Sequence, residues 1–161
     1  MTDGVRAVAL GGGHGLAASL SALRRVTDQL TAVVTVADDG GSSGRLRRQY
    51  GVLPPGDLRM ALAALCGDDE WGTTWSRVVQ HRFGGDRELA GHAVGNLLIV
   101  ALWDLLGDTV AGLDLMGRLL GTGGKHRSVA IAERLAAMLS ARLADRLSGD
   151  VTVSHRDLGR E

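Results

Sequence analysis

The feature that most constrains this chain is Gly11-Gly12-Gly13-His14-Gly15, which ends a short apolar run and opens a helical pattern. Residues 5–10 before it read Val-Arg-Ala-Val-Ala-Leu, and Leu16, Leu20 and Leu23 after it recur at helical spacing up to Val26. Leu30 to Ala37 forms a second run, rich in the valine and threonine that suit a pleated strand. Strand, glycine turn, helix and strand in one short stretch make a βαβ unit, so the chain is α/β with a parallel sheet. A buried parallel strand needs apolar residues on both faces, and residues 5–10 are expected to be covered in that way.

Beyond the second strand the pattern is mostly helical. From Asp38 to Gly56 it dissolves into glycine, serine and arginine, which predicts a long loop of the functional or disordered kind. Asp57 is placed to cap a helix running through Leu58, Leu62 and Leu65 to Cys66. A helix around Trp71–Phe83, ended by Gly84-Gly85, is expected next. Residues 93–106 are strongly apolar, and 109–120 carry another helical pattern. In 128–148, Ile131, Leu135, Leu139, Leu143 and Leu147 recur every four residues, which predicts a further helix; Val151-Thr152-Val153 is a candidate short strand. The expected architecture is a Rossmann-like N-terminal βαβ unit followed by a mainly helical region, an incomplete version of a larger doubly wound sheet. The expected division is a nucleotide-binding region over 1–124 and a divergent helical arm over 125–161.

Charge and cysteine usage remove several function classes. Eighteen basic residues balance eighteen acidic ones, without the positive excess that a nucleic-acid or membrane-surface footprint needs. The longest apolar run, Leu97 to Trp103, is far shorter than the ~20 residues of a membrane span. The N-terminal apolar stretch is too short for a signal-peptide core, so a cytoplasmic protein is expected. Cys66 is the only cysteine, which excludes an intrachain disulfide and a cysteine-based zinc cluster. Lys125 is the only lysine, so phosphate binding before it rests on arginine, backbone N–H groups or a metal.

Four segments carry candidate chemistry. At a strand-to-helix turn, Gly11, Gly12, Gly13 and Gly15 can bring bare backbone N–H groups and a helix start to a phosphate. Residues 13–18 fit the loosened pattern G-x-G-x-x-A, and no Gly-Lys-Ser/Thr follows to make a Walker loop. The plainer alternative is a tight turn that needs glycine sterically, with His14 filling it rather than donating to a ligand. Asp38-Asp39-Gly40-Gly41-Ser42-Ser43-Gly44-Arg45 offers two carboxylates and two hydroxyls. They suit ribose hydroxyls or a magnesium–phosphate site, with Asp38 and Asp39 as the metal ligands, or else form a solvated turn. Pro54-Pro55-Gly56-Asp57-Leu58-Arg59 reads by spacing alone as structural, a fixed entry into a helix. His92-Ala93-Val94-Gly95-Asn96 places the only asparagine of the chain at the start of an apolar helix, where it caps the helix or reads a ligand edge. His81, His126 and His155 show no metal-ligand spacing.

In this order the four segments resemble the gluconeogenesis-factor family (YvcK type), also described as UDP-N-acetylglucosamine-binding, and its relative the 2-phospho-L-lactate transferase (CofD) of deazaflavin cofactor biosynthesis. The resemblance covers about residues 5–124, and Thr35 to Leu46 is its most specific part. It implies a cytoplasmic, Rossmann-like binder of a nucleotide sugar that supports growth and cell shape on gluconeogenic carbon sources. It raises Asp38, Asp39, Ser42, Ser43, Gly56, Asp57, Arg59, His92 and Asn96 to site residues and reverses the structural reading of Pro-Pro-Gly-Asp. The transferase relative implies an alternative, a magnesium-dependent transfer of a phospholactyl-type group from a guanosine diphosphate carrier. The family continues past Gly124 into more strands, so a truncated product that binds nothing and self-associates through its open edge is a third reading.

Overall fold

A computed structural model describes residues 5–122 and 127–131. Three parallel strands, β1 (Arg6–Gly11), β2 (Gln29–Val34) and β3 (Arg127–Ile131), form a sheet in the order β1-β2-β3. The register sets Ala9 beside Ala32 and Val33 beside Ala130. Six helices complete the described fold: α1 (Gly13–Leu23), α2 (Gly41–Tyr50), α3 (Gly56–Leu65), α4 (Glu70–Gln80), α5 (Val94–Leu106) and α6 (Thr109–Leu119). The strand–glycine turn–helix–strand unit is thus present at the N-terminus, followed by helices as the patterning predicts.

The core lies on one face of this sheet. Ala9, Leu30, Ala32, Val34 and Ile131 project to Leu16 and Leu20 of α1 and to Leu58, Leu62 and Leu65 of α3. Almost every residue of α3 is buried, because its Gly-Asp-Leu-Arg-Met-Ala-Leu-Ala-Ala-Leu sequence is nearly free of bulky polar groups after its first turn. Trp103, Leu113, Met116 and Leu120 extend the core to α5 and α6.

Four expectations need correcting. Residues 41–50 are not loop but α2, whose first residues are Gly-Ser-Ser-Gly and whose last turn holds Arg47 and Arg48 beside the carbonyl end of the helix dipole. Gly51, at φ +65°, closes it in the left-handed conformation that glycine tolerates. Residues 127–131 extend the sheet as β3 instead of opening a helix: Ile131 follows the two-residue period of a strand and buries its side chain beside Val34. The helix α4 stops at Gln80, before Gly84-Gly85, because residues 81–94 fold back on themselves, with Phe83 N–H on His92 O at 3.1 Å and Val94 N–H on His81 O at 2.9 Å. Finally, among the described elements β1 is covered on one face only, since α1 and α3 pack on the Ala9 side of the sheet and leave Val8 61% and Leu10 71% exposed. The remainder of the expected C-terminal helix, 132–148, and the candidate strand 151–153 lie outside the described residues. Among the described residues no helix is long and apolar enough to cross a membrane.

Candidate functional site

The segments singled out by sequence meet at the carboxyl ends of β1 and β2, where open α/β sheets hold their ligands. Their centre is Asp57, the second residue of α3. It does not cap its own helix, whose N-cap is Pro55. Its Oδ1 accepts from Gly13 N–H at 3.0 Å and its Oδ2 from Ala37 N–H at 3.4 Å. One carboxylate thus ties the turn after β1 and the exit of β2 to the start of α3. A β-carbon on Gly12 would stand 2.8 Å from Thr35 Oγ1 and 3.2 Å from Asp57 Oδ2, so this turn has room only for glycine. Burial raises the pKa of Asp57, and Asp38 adds to that; the two backbone donors and Arg59 pull the other way without cancelling it.

The next link joins α3 to α2. Gly56 lies directly under Asp38 and Ser43: a β-carbon there would overlap Asp38 Oδ2 and come within 2.5 Å of Ser43 Oγ. Asp38 Oδ1 accepts from Gly40 N–H at 2.9 Å, which turns the chain into α2. Asp39 points elsewhere, to an exposed ion pair with Arg47 at 2.6 Å.

A buried hydrogen-bond network then joins α2 to α5. Ser42 Oγ accepts from Asn96 Nδ2 at 3.0 Å and from Ala93 N–H at 3.4 Å, and lies 3.0 Å from His92 Nδ1. With its lone pairs engaged, the hydroxyl proton goes to Nδ1, which leaves His92 neutral with its proton on Nε2. Burial lowers the pKa of His92, and the positive charges of Arg45 and Arg82 lower it further. Asn96 also donates to Ser43 Oγ at 3.3 Å, and its Oδ1 accepts from Arg59 Nε at 3.0 Å. Arg59 Nη1 reaches Gln80 Oε1 of α4 at 3.3 Å. Asn96 therefore neither caps α5, whose N-cap is Ala93, nor stands free; it is the hub between α2, α3 and α5.

These contacts bring together the first turns of α1, α2, α3 and α5. None of these helices has a side-chain cap at its N-terminus. By contrast α4 and α6, whose starts lie outside the network, are capped by Asp69 and Asp108. Gly13 N–H of α1 is spent on Asp57 and Val94 N–H of α5 on His81 O, but the other backbone N–H groups of the first turns, those of α2 above all, and the positive dipole ends can face an anion. Within the predicted set, Gly11, Gly12, Gly13, Asp38, Ser42, Ser43, Gly56, Asp57, Arg59, His92 and Asn96 belong to this cluster. His14 and Gly15 lie on the exposed first turn of α1, and no hydrogen bond from either side joins the network. Sequence reasoning missed Gln80, Thr35 and Ala37, whose roles depend on contacts with residues 20 or more positions away. Among the described residues no three His, Cys, Asp or Glu side chains group as a metal centre. Asp38 is a hard oxygen donor whose Oδ2 makes no hydrogen bond to the described protein, so it fits a magnesium ion of the kind that keeps most of its own waters. Two clefts, of about 450 Å³ beside Tyr50 and Trp103 and about 260 Å³ beside Arg24 and Trp71, share no residue with the cluster.

Comparison with known proteins shows the family. The family model described as 2-phospho-L-lactate transferase CofD matches residues 7–158. A protein of Mycobacterium tuberculosis named putative gluconeogenesis factor is 62% identical over 125 residues, which are 78% of this chain and 36% of that protein. The gluconeogenesis factor of Listeria monocytogenes is 45% identical over 74% of this chain and 36% of its own length. A crystal structure of a Bacillus halodurans protein of the UPF0052 family superposes with a TM-score of 0.66 at 37% identity, over 79% of this chain and 39% of that one. The matched part thus spans little more than a third of these relatives. Because the family model matches residues 7–158, nearly the whole of this chain, the chain belongs to the CofD family, among whose members are the proteins named gluconeogenesis factor.

Proposed function

We propose that this chain binds a nucleotide sugar of the UDP-N-acetylglucosamine type and acts as a cytoplasmic regulator that supports growth and cell shape on gluconeogenic carbon sources. The observation that carries the reading is the meeting of four uncapped helix starts at the carboxyl ends of β1 and β2. Each helix end attracts an exposed anionic group by only ~0.3–1 kcal/mol, so several acting together are what a diphosphate calls for. In this reading the glycine turn and the first turns of α2 and α3 face the diphosphate, with Gly13 N–H held by Asp57, Asp38 faces ribose or magnesium, and His92 and Asn96 set the far end of the cleft. The names of the relatives support the gluconeogenic context.

The second reading is a magnesium-dependent transferase of the phospholactyl type, favoured by the description of the matching family and by the free carboxylate oxygen of Asp38. Asp38 would hold the ion, which would supply positive charge to the diphosphate of the carrier, whose P–O–P bridge breaks to release the nucleoside monophosphate. Calorimetric titration of the chain with UDP-N-acetylglucosamine, with and without magnesium and with GDP and NAD as comparators, tests both. A micromolar dissociation constant, about −8 kcal/mol, specific to the UDP-sugar supports the regulator. Preference for GDP with a magnesium requirement supports the transferase. No binding of any of them by a folded sample overturns both.

A further inference from the structure

Arg45 of α2, Arg59 of α3 and Arg82, just after α4, converge on the segment 80–96 around His92. Arg45 Nη2 donates to the carbonyl of Ala90 at 2.6 Å, and Arg82 Nη1 to the next carbonyl, that of Gly91, at 2.9 Å. Arg59 donates to the neutral side chains of Asn96 and Gln80. The ion pairs among the described residues are Arg24–Asp68 and Arg47–Asp39, so none of these three guanidinium groups has a carboxylate of the described residues within 4.0 Å. Arg59 is only 5% exposed, and a buried cation without a counter-charge is costly to keep. After burial, Arg82 is the next largest cause lowering the pKa of Arg59, and Arg45 and Arg82 act in the same way on His92. Asp38 and Asp57 act on Arg59 in the opposite direction, each less than Arg82 does. Each guanidinium has five N–H donors and spends one or two of them on the contacts above, so donors remain.

We propose that Arg45, Arg59 and Arg82 form a second anion subsite beside the cluster of helix starts, and that it takes a compact dianion of the phosphate class. The proposal rests on the reading that the cluster binds an anionic ligand, and it adds a second anionic group. That group is either part of the same ligand or a free ion. Guanidinium groups bind such oxyanions through paired N–H donors, a geometry that amides and carbonyls do not replace.

The test is titration of the chain with inorganic phosphate at low ionic strength, alongside the double variant Arg45→Gln/Arg82→Gln. Both positions lie outside the buried core, and circular dichroism checks that the variant folds. Saturable phosphate binding that weakens ten-fold or more in the double variant is the expected result. Absence of saturable binding, or equal affinity in both proteins, overturns the proposal. Phosphate titrated into a UDP-saturated sample assigns the source: unchanged affinity points to a free ion, and competition to a group carried by the ligand. If UDP-N-acetylglucosamine binds neither protein while phosphate behaves as expected, the nucleotide reading fails and the subsite stands.

Discussion

Asp57, Ser42 and His92 show how single side chains hold this site, and each makes a distinct prediction. Asp57 accepts two backbone N–H groups from elements far away in sequence. Asp57→Asn keeps the shape but turns one acceptor into a donor that faces another donor. It is expected to destabilise the chain by about 1–3 kcal/mol in urea unfolding at neutral pH. Ser42→Ala removes the acceptor of Asn96 and of the Ala93 N–H together with the donor to His92. A similar loss of about 1–3 kcal/mol is expected, with weaker ligand binding because the start of α2 loses its tie to α5. His92 makes a pH prediction. Its folded pKa lies below the ordinary 6.5, so between the two values the unfolded chain holds more protons than the folded one. Stability is therefore full above 6.5 and falls as the pH drops through 6.5 towards the lowered value. Protonated Nδ1 would point a donor at a hydroxyl that already accepts twice. Unfolding free energies from pH 7.5 to 5 should show this slope in the parent, and His92→Gln should lack it.

At the level of elements, the helix starts explain both what the sequence announces and what it hides. The glycine turn and the two strands that flank it are visible because apolar runs and glycine punctuation are local signals. The helix α2 is not, because glycine and serine have low helix propensity and read as turn formers. It is held by contacts beyond its own sequence: Leu46 in the core, Ser42 and Ser43 on Asn96, and the seat of Asp38 and Ser43 over Gly56. For the same reason Asp57 reads as an N-cap, since its real partners are 20 and 44 residues away. β3 is hidden by the opposite accident, a four-residue apolar spacing that begins at Ile131 and suggests a helix. A pair of glycine substitutions separates packing from backbone freedom. Gly56→Ala would force Asp38 and Ser43 off the start of α3, and is expected to lower nucleotide affinity at least ten-fold while the helical content stays unchanged. Gly51→Ala, at φ +65° in open space, strains only the end of α2. It should cost about 1–2 kcal/mol of stability and leave affinity as it was. Calorimetry paired with thermal unfolding distinguishes the two.

For the molecule as a whole, the sheet is asymmetric in a way that bears on how this chain behaves in solution. In a doubly wound fold helices cover both faces of a parallel sheet. Here α1 and α3 fill the Ala9 face, while Val8 and Leu10 stay exposed on the other face of a strand that pairs only with β2 among the described residues. The sequence of β1 anticipates cover on both sides, which is why a strand buried on both faces was the natural expectation. Its remaining edge carries no proline and no lysine, and Arg6 is its only charge, so it lacks the usual devices that keep sheet edges apart. Net charge is zero, which removes long-range repulsion between copies. The chain on its own is therefore expected to self-associate with rising concentration. In Leu10→Lys a charge stands on the exposed face without touching the Ala9 side, so the same core should form and the association should weaken. Sedimentation velocity across a concentration series measures both. A parent that sediments as a sharp monomer throughout would show that the β1 edge is already protected, and the open-edge argument would then fail.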